Sequence, residues 1–278
     1  GRSCRFAHFA RHPGLSRALT ARSIALFEGP GARPHPALFV ALSGQEDALD
    51  RLEANYREWA PHVRRLSVAA AQEHVPVLRD GDGGIVGALL DLQARKLDAH
   101  ALLEAHRKAL VAAGGSVAAK APVTALRHEG ERWIVDTPGA SYAARVVVNA
   151  AGAWADTVAQ IVGIAALGIT PLRRTVITFD VPINVKGCPF TKTVRPGFYI
   201  EPEGSGRLLA SPMDEGESAP CDAQPEEEDV ALAAWRVEEA TTLTVPRLAS
   251  KWAGLRSFAP DRLPVAGVAP SAPGSSPS

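Results

Sequence analysis

Between Val146 and Trp154 the chain reads Val-Val-Val-Asn-Ala-Ala-Gly-Ala-Trp, a β-branched run that stops at very small residues and passes into an amphipathic segment. Ala150, Ala151 and Gly152 carry almost no side chain, so a phosphate or an isoalloxazine ring could lie directly against their backbone. Val146, Val147 and Val148 are the kind of short apolar run expected of a strand buried on both faces. After the turn, Trp154, Val158, Ile161 and Val162 recur at helical spacing, and Gly163 is placed to end a helix. The N–H groups and dipole of such a helix would face the turn, an arrangement by which α/β proteins hold dinucleotides. The same pattern also serves as a plain strand-to-helix connection with no ligand, and the residues alone leave both readings open. If a ligand binds, Gly152 and Ala153 are expected at the surface of a cleft.

Other side chains offer less chemistry. Cys4, Cys188 and Cys221 are far apart, odd in number and lack Cys-x-x-Cys spacing, which argues against a disulfide framework or a structural metal. His100, His106 and His128 show no metal-ligand spacing, and no Gly-x-Ser-x-Gly nucleophile turn is present. Thirty basic residues balance thirty acidic ones, and arginine pairs such as Arg64-Arg65 and Arg173-Arg174 are isolated, so no nucleic-acid partner is expected. No apolar run approaches the roughly 20 residues that span a bilayer. At 278 residues, 46% hydrophobic and 22% charged, the chain has the composition of an ordinary enzyme of one large or two smaller domains.

The elements that would position these groups alternate in type. Periodicity and stop signals predict helices over 14–28, 45–60, 66–74, 98–113 and 226–242, the last with an acidic first turn behind Pro225. In the helix over 98–113, Leu102, Leu103, Leu110 and Val111 form the apolar side. Strands are predicted over 38–42, 85–92, 117–127, 132–136, 142–149, 175–181, 197–201, 208–210 and 251–258. Those over 117–149, joined by turns at His128-Glu129-Gly130 and Pro138-Gly139, should form a three-stranded antiparallel element. From Ile169 onward the pattern is richer in β-structure and suits a mixed antiparallel sheet with one helix.

The segment 146–154 resembles the second flavin-contacting motif of the FAD-dependent amino acid oxidase and dehydrogenase family, which includes D-amino acid oxidase, glycine oxidase and sarcosine oxidase. Three further segments resemble that family in the required order. Gly1-Arg2-Ser3 is similar to the triplet that follows the ribose-binding acid, and Pro122-Val123-Thr124 to the strand whose valine backbone meets the adenine. Trp252 to Arg256, continuing through Pro260 to Gly267, resembles the segment carrying the substrate-anchoring arginine. The resemblance implies FAD as cofactor, with Gly1, Arg2, Ser3, Val123, Ala151, Gly152 and Trp154 at its site. It implies Arg256 as the group that grips a substrate carboxylate, since a guanidinium makes two parallel charge-assisted bonds to one. Tyr199, in Phe198-Tyr199-Ile200-Glu201-Pro202, resembles the aromatic residue that lines the substrate pocket; a core tyrosine is the other reading. The flavin carries the electron chemistry, so no catalytic acid or base is assigned. The expected reaction is oxidation of the carbon–nitrogen bond of an amino acid or secondary amine, with oxygen or the respiratory chain as electron acceptor. A 2-hydroxy acid oxidoreductase of the same family, or a remnant that does not hold FAD, are the alternatives.

The family's opening strand, Gly-x-Gly-x-x-Gly turn and helix are not found in these 278 residues, and Gly81-Asp82-Gly83-Gly84 does not supply the pattern. The tail from Ala269 to Ser278 is rich in Pro, Ser and Gly and reads as disordered. The expected fold is therefore α/β (α+β): a Rossmann-like FAD-binding domain lacking its first βαβ unit, interleaved with a mixed antiparallel-sheet substrate domain. Residues 1–30, 97–168 and 258–267 are assigned to the FAD side, 38–92 and 170–257 to the substrate side, and 268–278 to the tail. The chain is expected to be a fragment, truncated at both ends and inactive by itself, of a cytoplasmic or membrane-peripheral flavoenzyme.

Overall fold

The computed structural model describes residues 6–8, 14–27 and 31–269. The chain forms two compact units: 1–105, 174–215 and 223–254 make the first, and 106–173, 216–222 and 255–278 the second. In chain order the strands are β1 (Phe6–Ala7), β2 (Ala32–Pro34), β3 (Ala37–Leu42), β4 (Arg64–Leu66), β5 (Ile85–Asp91), β6 (Arg95–Leu97) and β7 (Ala125–Glu129). They continue with β8 (Arg132–Thr137), β9 (Ala140–Ala144), β10 (Thr170–Asp180), β11 (Phe190–Thr193), β12 (Tyr199–Pro202), β13 (Arg207–Ser211) and β14 (Leu248–Phe258). The helices are α1 (Leu15–Leu26), α2 (Glu46–Trp59), α3 (Val68–His74), α4 (Ala99–Ala112), α5 (Ala155–Ile161) and α6 (Glu227–Ala240).

An eight-stranded sheet, ordered β14-β10-β13-β12-β11-β3-β5-β4, is the backbone of the first unit. It is mixed: β11 runs parallel to β3, whereas β3–β5, β11–β12 and β12–β13 are antiparallel. Strand alternation sends successive side chains to opposite faces. Leu38, Val40, Leu90, Ile177, Phe179, Ile200 and Leu208 go to one face, where they pack with Val230, Ala233, Val237 and Ala240 of α6 and Ala71 of α3. Ala37, Phe39, Leu89, Val176, Tyr199 and Leu209 go to the other, against Leu49, Leu52 and Tyr56 of α2. Because both faces are covered, β3 is apolar at every position from Ala37 to Leu42 and buried at the first five. A smaller sheet, β1-β6-β2, also belongs to this unit.

The helices begin where local chemistry favours it. Glu46 and Asp47 lie in the first turn of α2 and Glu227, Glu228 and Asp229 in that of α6, where carboxylates meet the positive end of the helix dipole. The Asp98 carboxylate accepts the His100 and Ala101 N–H groups at 3.0 Å and caps α4.

In the second unit, β7, β8 and β9 form the antiparallel three-stranded element, turning at Gly130 with φ 59°. Its two outer strands are shorter than predicted, 125–129 in place of 117–127 and 140–144 in place of 142–149. The run 146–148, predicted as a strand buried on both faces, is neither. Residues 145–151 contain no helix or strand, and Val146 and Val148 are 73% and 81% exposed. A strand exists through its neighbour's hydrogen bonds, and no described residue pairs with this segment. The apolar side predicted for the helix over 98–113 is likewise open: α4 contains no buried residue, and Leu103, Leu110 and Val111 are exposed. Among described hydrophobic residues of this unit, just Leu126, Ala153, Leu172 and Ala259 are buried, so its own side chains build little core.

Candidate functional site

The small-residue turn is held by Asn149. Its Oδ1 accepts the Ala151 N–H at 3.3 Å, and its Nδ2 donates to the Ala155 carbonyl at 2.8 Å, so one side chain spans the turn from both ends. Gly152 follows at φ 58°, a left-handed backbone that suits glycine, and opens a single 3₁₀ turn, Gly152–Trp154, that leads into α5. Beyond α5, the Asp156 carboxylate accepts the Leu167 and Ile169 N–H groups at 2.9 and 2.8 Å and fixes the returning chain. Gly152 is exposed, and no atom lies within 4 Å of where a Cβ would stand. Ala151 is half-buried and Trp154 exposed. Ala153, expected beside Gly152 at the surface, is instead buried at the centre of the 3₁₀ turn, 9% exposed.

Val123 is 38% exposed and lies in the same unit as this turn, next to Thr124, whose N–H donates to the Asp136 carbonyl at 2.9 Å. Gly1, Arg2 and Ser3 lie outside the described residues.

Arg256 stands near the end of β14, also in the second unit, and is exposed. Its guanidinium carbon lies 5.1 Å from the centre of the Phe258 ring, two residues along the same strand face. Tyr199 belongs to the first unit and is 5% exposed. It sits opposite Lys192 and Ser211 in the sheet, its ring 5.5 Å from that of Phe190. The structure thus brings Ala151, Gly152, Trp154, Val123 and Arg256 into one unit and places Tyr199 in the core of the other.

A buried polar group in the first unit escaped the sequence reading. Glu201, two residues beyond Tyr199 on the same face and 2% exposed, forms an ion pair with Lys96 of β6; Lys96 also reaches Glu203 and the Pro202 carbonyl, each at 3.4 Å. Arg33, Lys96, Asp98 and Glu203 line a polar cavity of about 290 Å³ with Gly31. His35 is 6% exposed, its ring 5.3 Å from that of Phe6. Burial, reinforced by the Arg33 and Lys96 charges, lowers its pKa to about 4 and keeps the imidazole neutral. One signal was available: an acid in the otherwise apolar run Phe198 to Pro202 needs a cation, and Arg95-Lys96 is a candidate.

The family model described as DAO, FAD dependent oxidoreductase, matches residues 7–276. The chain belongs to this family. It is 27% identical over 173 residues to glycine oxidase of Geobacillus kaustophilus, an alignment covering 61% of this chain and 45% of that protein. Over 102 residues, 35% of this chain and 12% of the relative, it is 33% identical to the mitochondrial dimethylglycine dehydrogenase of Rattus norvegicus. The chain therefore spans less than half the length of these curated relatives. The crystal structure of the Geobacillus kaustophilus glycine oxidase superposes with a TM-score of 0.80 at 23% identity, covering 96% of this chain and 73% of that one, a likeness of fold. The resemblance in sequence and the mixed α/β fold agree with the family.

The family's cofactor is FAD, and the small-residue turn suits such a group. Open space at Gly152, the bare Ala151 and the accessible Trp154 leave the backbone approachable by a flat or anionic ligand.

Proposed function

We propose that the protein is an FAD-dependent oxidoreductase that oxidises the carbon–nitrogen bond of an amino acid or secondary amine carrying a carboxylate. The observation that carries this reading is the match to the family over 7–276, together with an exposed Arg256 in the same unit as the Gly152 turn. FAD, when bound, would accept the hydride and supply the redox chemistry. Ala151, Gly152 and Trp154 would approach it through an open backbone, with Val123 and the Gly1-Arg2-Ser3 segment at its adenosine end. Residues 1–30, 97–168 and 258–267 would form the FAD side and 38–92 and 170–257 the substrate side. Arg256 would orient the substrate by two parallel charge-assisted bonds to its carboxylate, fixing which C–H bond faces the flavin. Tyr199, packed in the core of the first unit, is left out of this reading. Oxygen or a respiratory electron carrier would reoxidise the flavin. Among the described residues no helix is long and apolar enough to cross a membrane.

The test is anaerobic reduction of the FAD-loaded protein, followed by loss of the flavin's visible absorbance. At least one of glycine, sarcosine, proline and glutamate, the last a dicarboxylic amine, should bleach it. Bleaching by 2-hydroxy acids alone would transfer the reading to carbon–oxygen oxidation, and bleaching by none of them would remove it.

A further inference from the structure

Phe258, the last residue of β14, carries two guanidiniums. Arg256 lies 5.1 Å from the ring centre, and Arg262 reaches back over the same ring at 4.6 Å. The return is built by the chain just beyond the strand. The Arg262 N–H donates to the Ala259 carbonyl at 2.9 Å, and the Asp261 carboxylate accepts the Leu263 N–H at 2.9 Å. Arg262 itself takes φ 60°, a left-handed conformation that a residue with a Cβ adopts at a cost. A strained turn thus directs a second arginine onto a ring already occupied by the first.

Both arginines are exposed, and their guanidinium carbons are at most about 10 Å apart, the two centroid distances laid end to end. A guanidinium over a ring uses its face for the aromatic contact, whereas its N–H donors lie in its plane and suit a carboxylate. A four- or five-carbon diacid, with its carboxyl carbons roughly 4–5 Å apart, fits between two such groups.

We infer that Arg256, Phe258 and Arg262 form a site for a ligand with two carboxylates, Arg256 holding one and Arg262 the other. The substrate class is then a dicarboxylic amino acid or amine, and Arg262 is the residue that sets this specificity. The inference rests on the reading of Arg256 as carboxylate anchor.

Calorimetric titration of the full chain at low ionic strength tests it, with succinate and glutarate against acetate and glycine. The diacids should bind at least tenfold more tightly than the monoacids. R262A should reduce that ratio to about one, R262K should retain part of it, and R256A should weaken diacids and monoacids alike. Diacid binding that is undetectable or no tighter than acetate, or an R262A protein that keeps the full preference, overturns the inference. If R256A still weakens every carboxylate in that case, the anchor reading survives and the second site falls alone. If R256A changes neither class, both fall.

Discussion

At Arg256 the chemistry predicts a loss confined to substrates that carry a carboxylate. In the FAD-loaded protein, Arg256→Ala should lower kcat/KM for a carboxylate amine by about 2–4 kcal/mol, the scale of a charged pair losing its bidentate partner. FAD content should not change, and Arg256→Lys should recover part of the loss because an ammonium lacks the fork. Steady-state kinetics with a substrate and its decarboxylated analogue provide the check, and equal losses for the two would count against the anchor. His35 gives a pH-dependent prediction. Its pKa is lowered from 6.5 to about 4 in the folded chain, so between these values the unfolded state binds more protons. Its contribution to stability is therefore complete above pH 6.5, falls as pH drops toward 4, and loses about 3 kcal/mol across that window. Denaturant unfolding at pH 7 and pH 4.5 should show a steeper acid loss for the native chain than for His35→Phe. Arg256 was singled out in the sequence through its resemblance to a known segment, and its role is a proposal. Its contact with Phe258 and the left-handed backbone of Arg262 were not legible there, because both depend on how the chain turns after β14.

Between elements, Lys96 and Glu201 tie the small sheet to the large one. Glu201 lies at an inward position of β12, where an unpaired carboxylate would be costly, and Lys96 of β6 meets it. Removing the cation by Lys96→Met should destabilise the protein by about 3–5 kcal/mol, because the acid stays buried without a partner. Lys96→Met combined with Glu201→Leu should recover much of that loss, since an apolar pair of similar volume avoids the desolvation cost. Chemical denaturation of both variants would test this, and a double variant no more stable than the single one would show that the pair does more than neutralise Glu201. Element types were readable wherever periodicity and burial agreed. The predicted helix over 45–60 appears as Glu46–Trp59, and that over 226–242 as Glu227–Ala240, because each places one apolar stripe on a sheet face. The short strands β1, β2, β4 and β6 were not read, since two or three residues carry no period.

Across the whole molecule, protection should follow burial. Amide hydrogen exchange should be slowest along β3, β5 and the buried middle of β10, which lie inside the large sheet with side chains packed on both faces. It should be fast over 145–151, where no helix or strand holds the backbone and Val146 and Val148 are exposed. Strong protection of that segment in the isolated chain would mean that it pairs with something, and the picture of an open apolar run would have to be abandoned.

The sequence by itself determined the family, the α/β class, the meander of β7, β8 and β9, and the position of the small-residue turn. The family rests on the resemblance of four segments to known motifs, whereas the class, the meander and the turn rest on local composition: Gly152 permits a left-handed backbone, and apolar period marks helix and strand. Tertiary structure decided what local pattern cannot. It left the Val146–Val148 run unpaired, because a strand is made by a neighbour distant in sequence, and it placed Tyr199 among Phe39 and Phe190 in a buried layer. It joined Lys96 to Glu201 and brought Arg256 and Arg262 onto one ring, since which charges meet is set by the path of the chain in space.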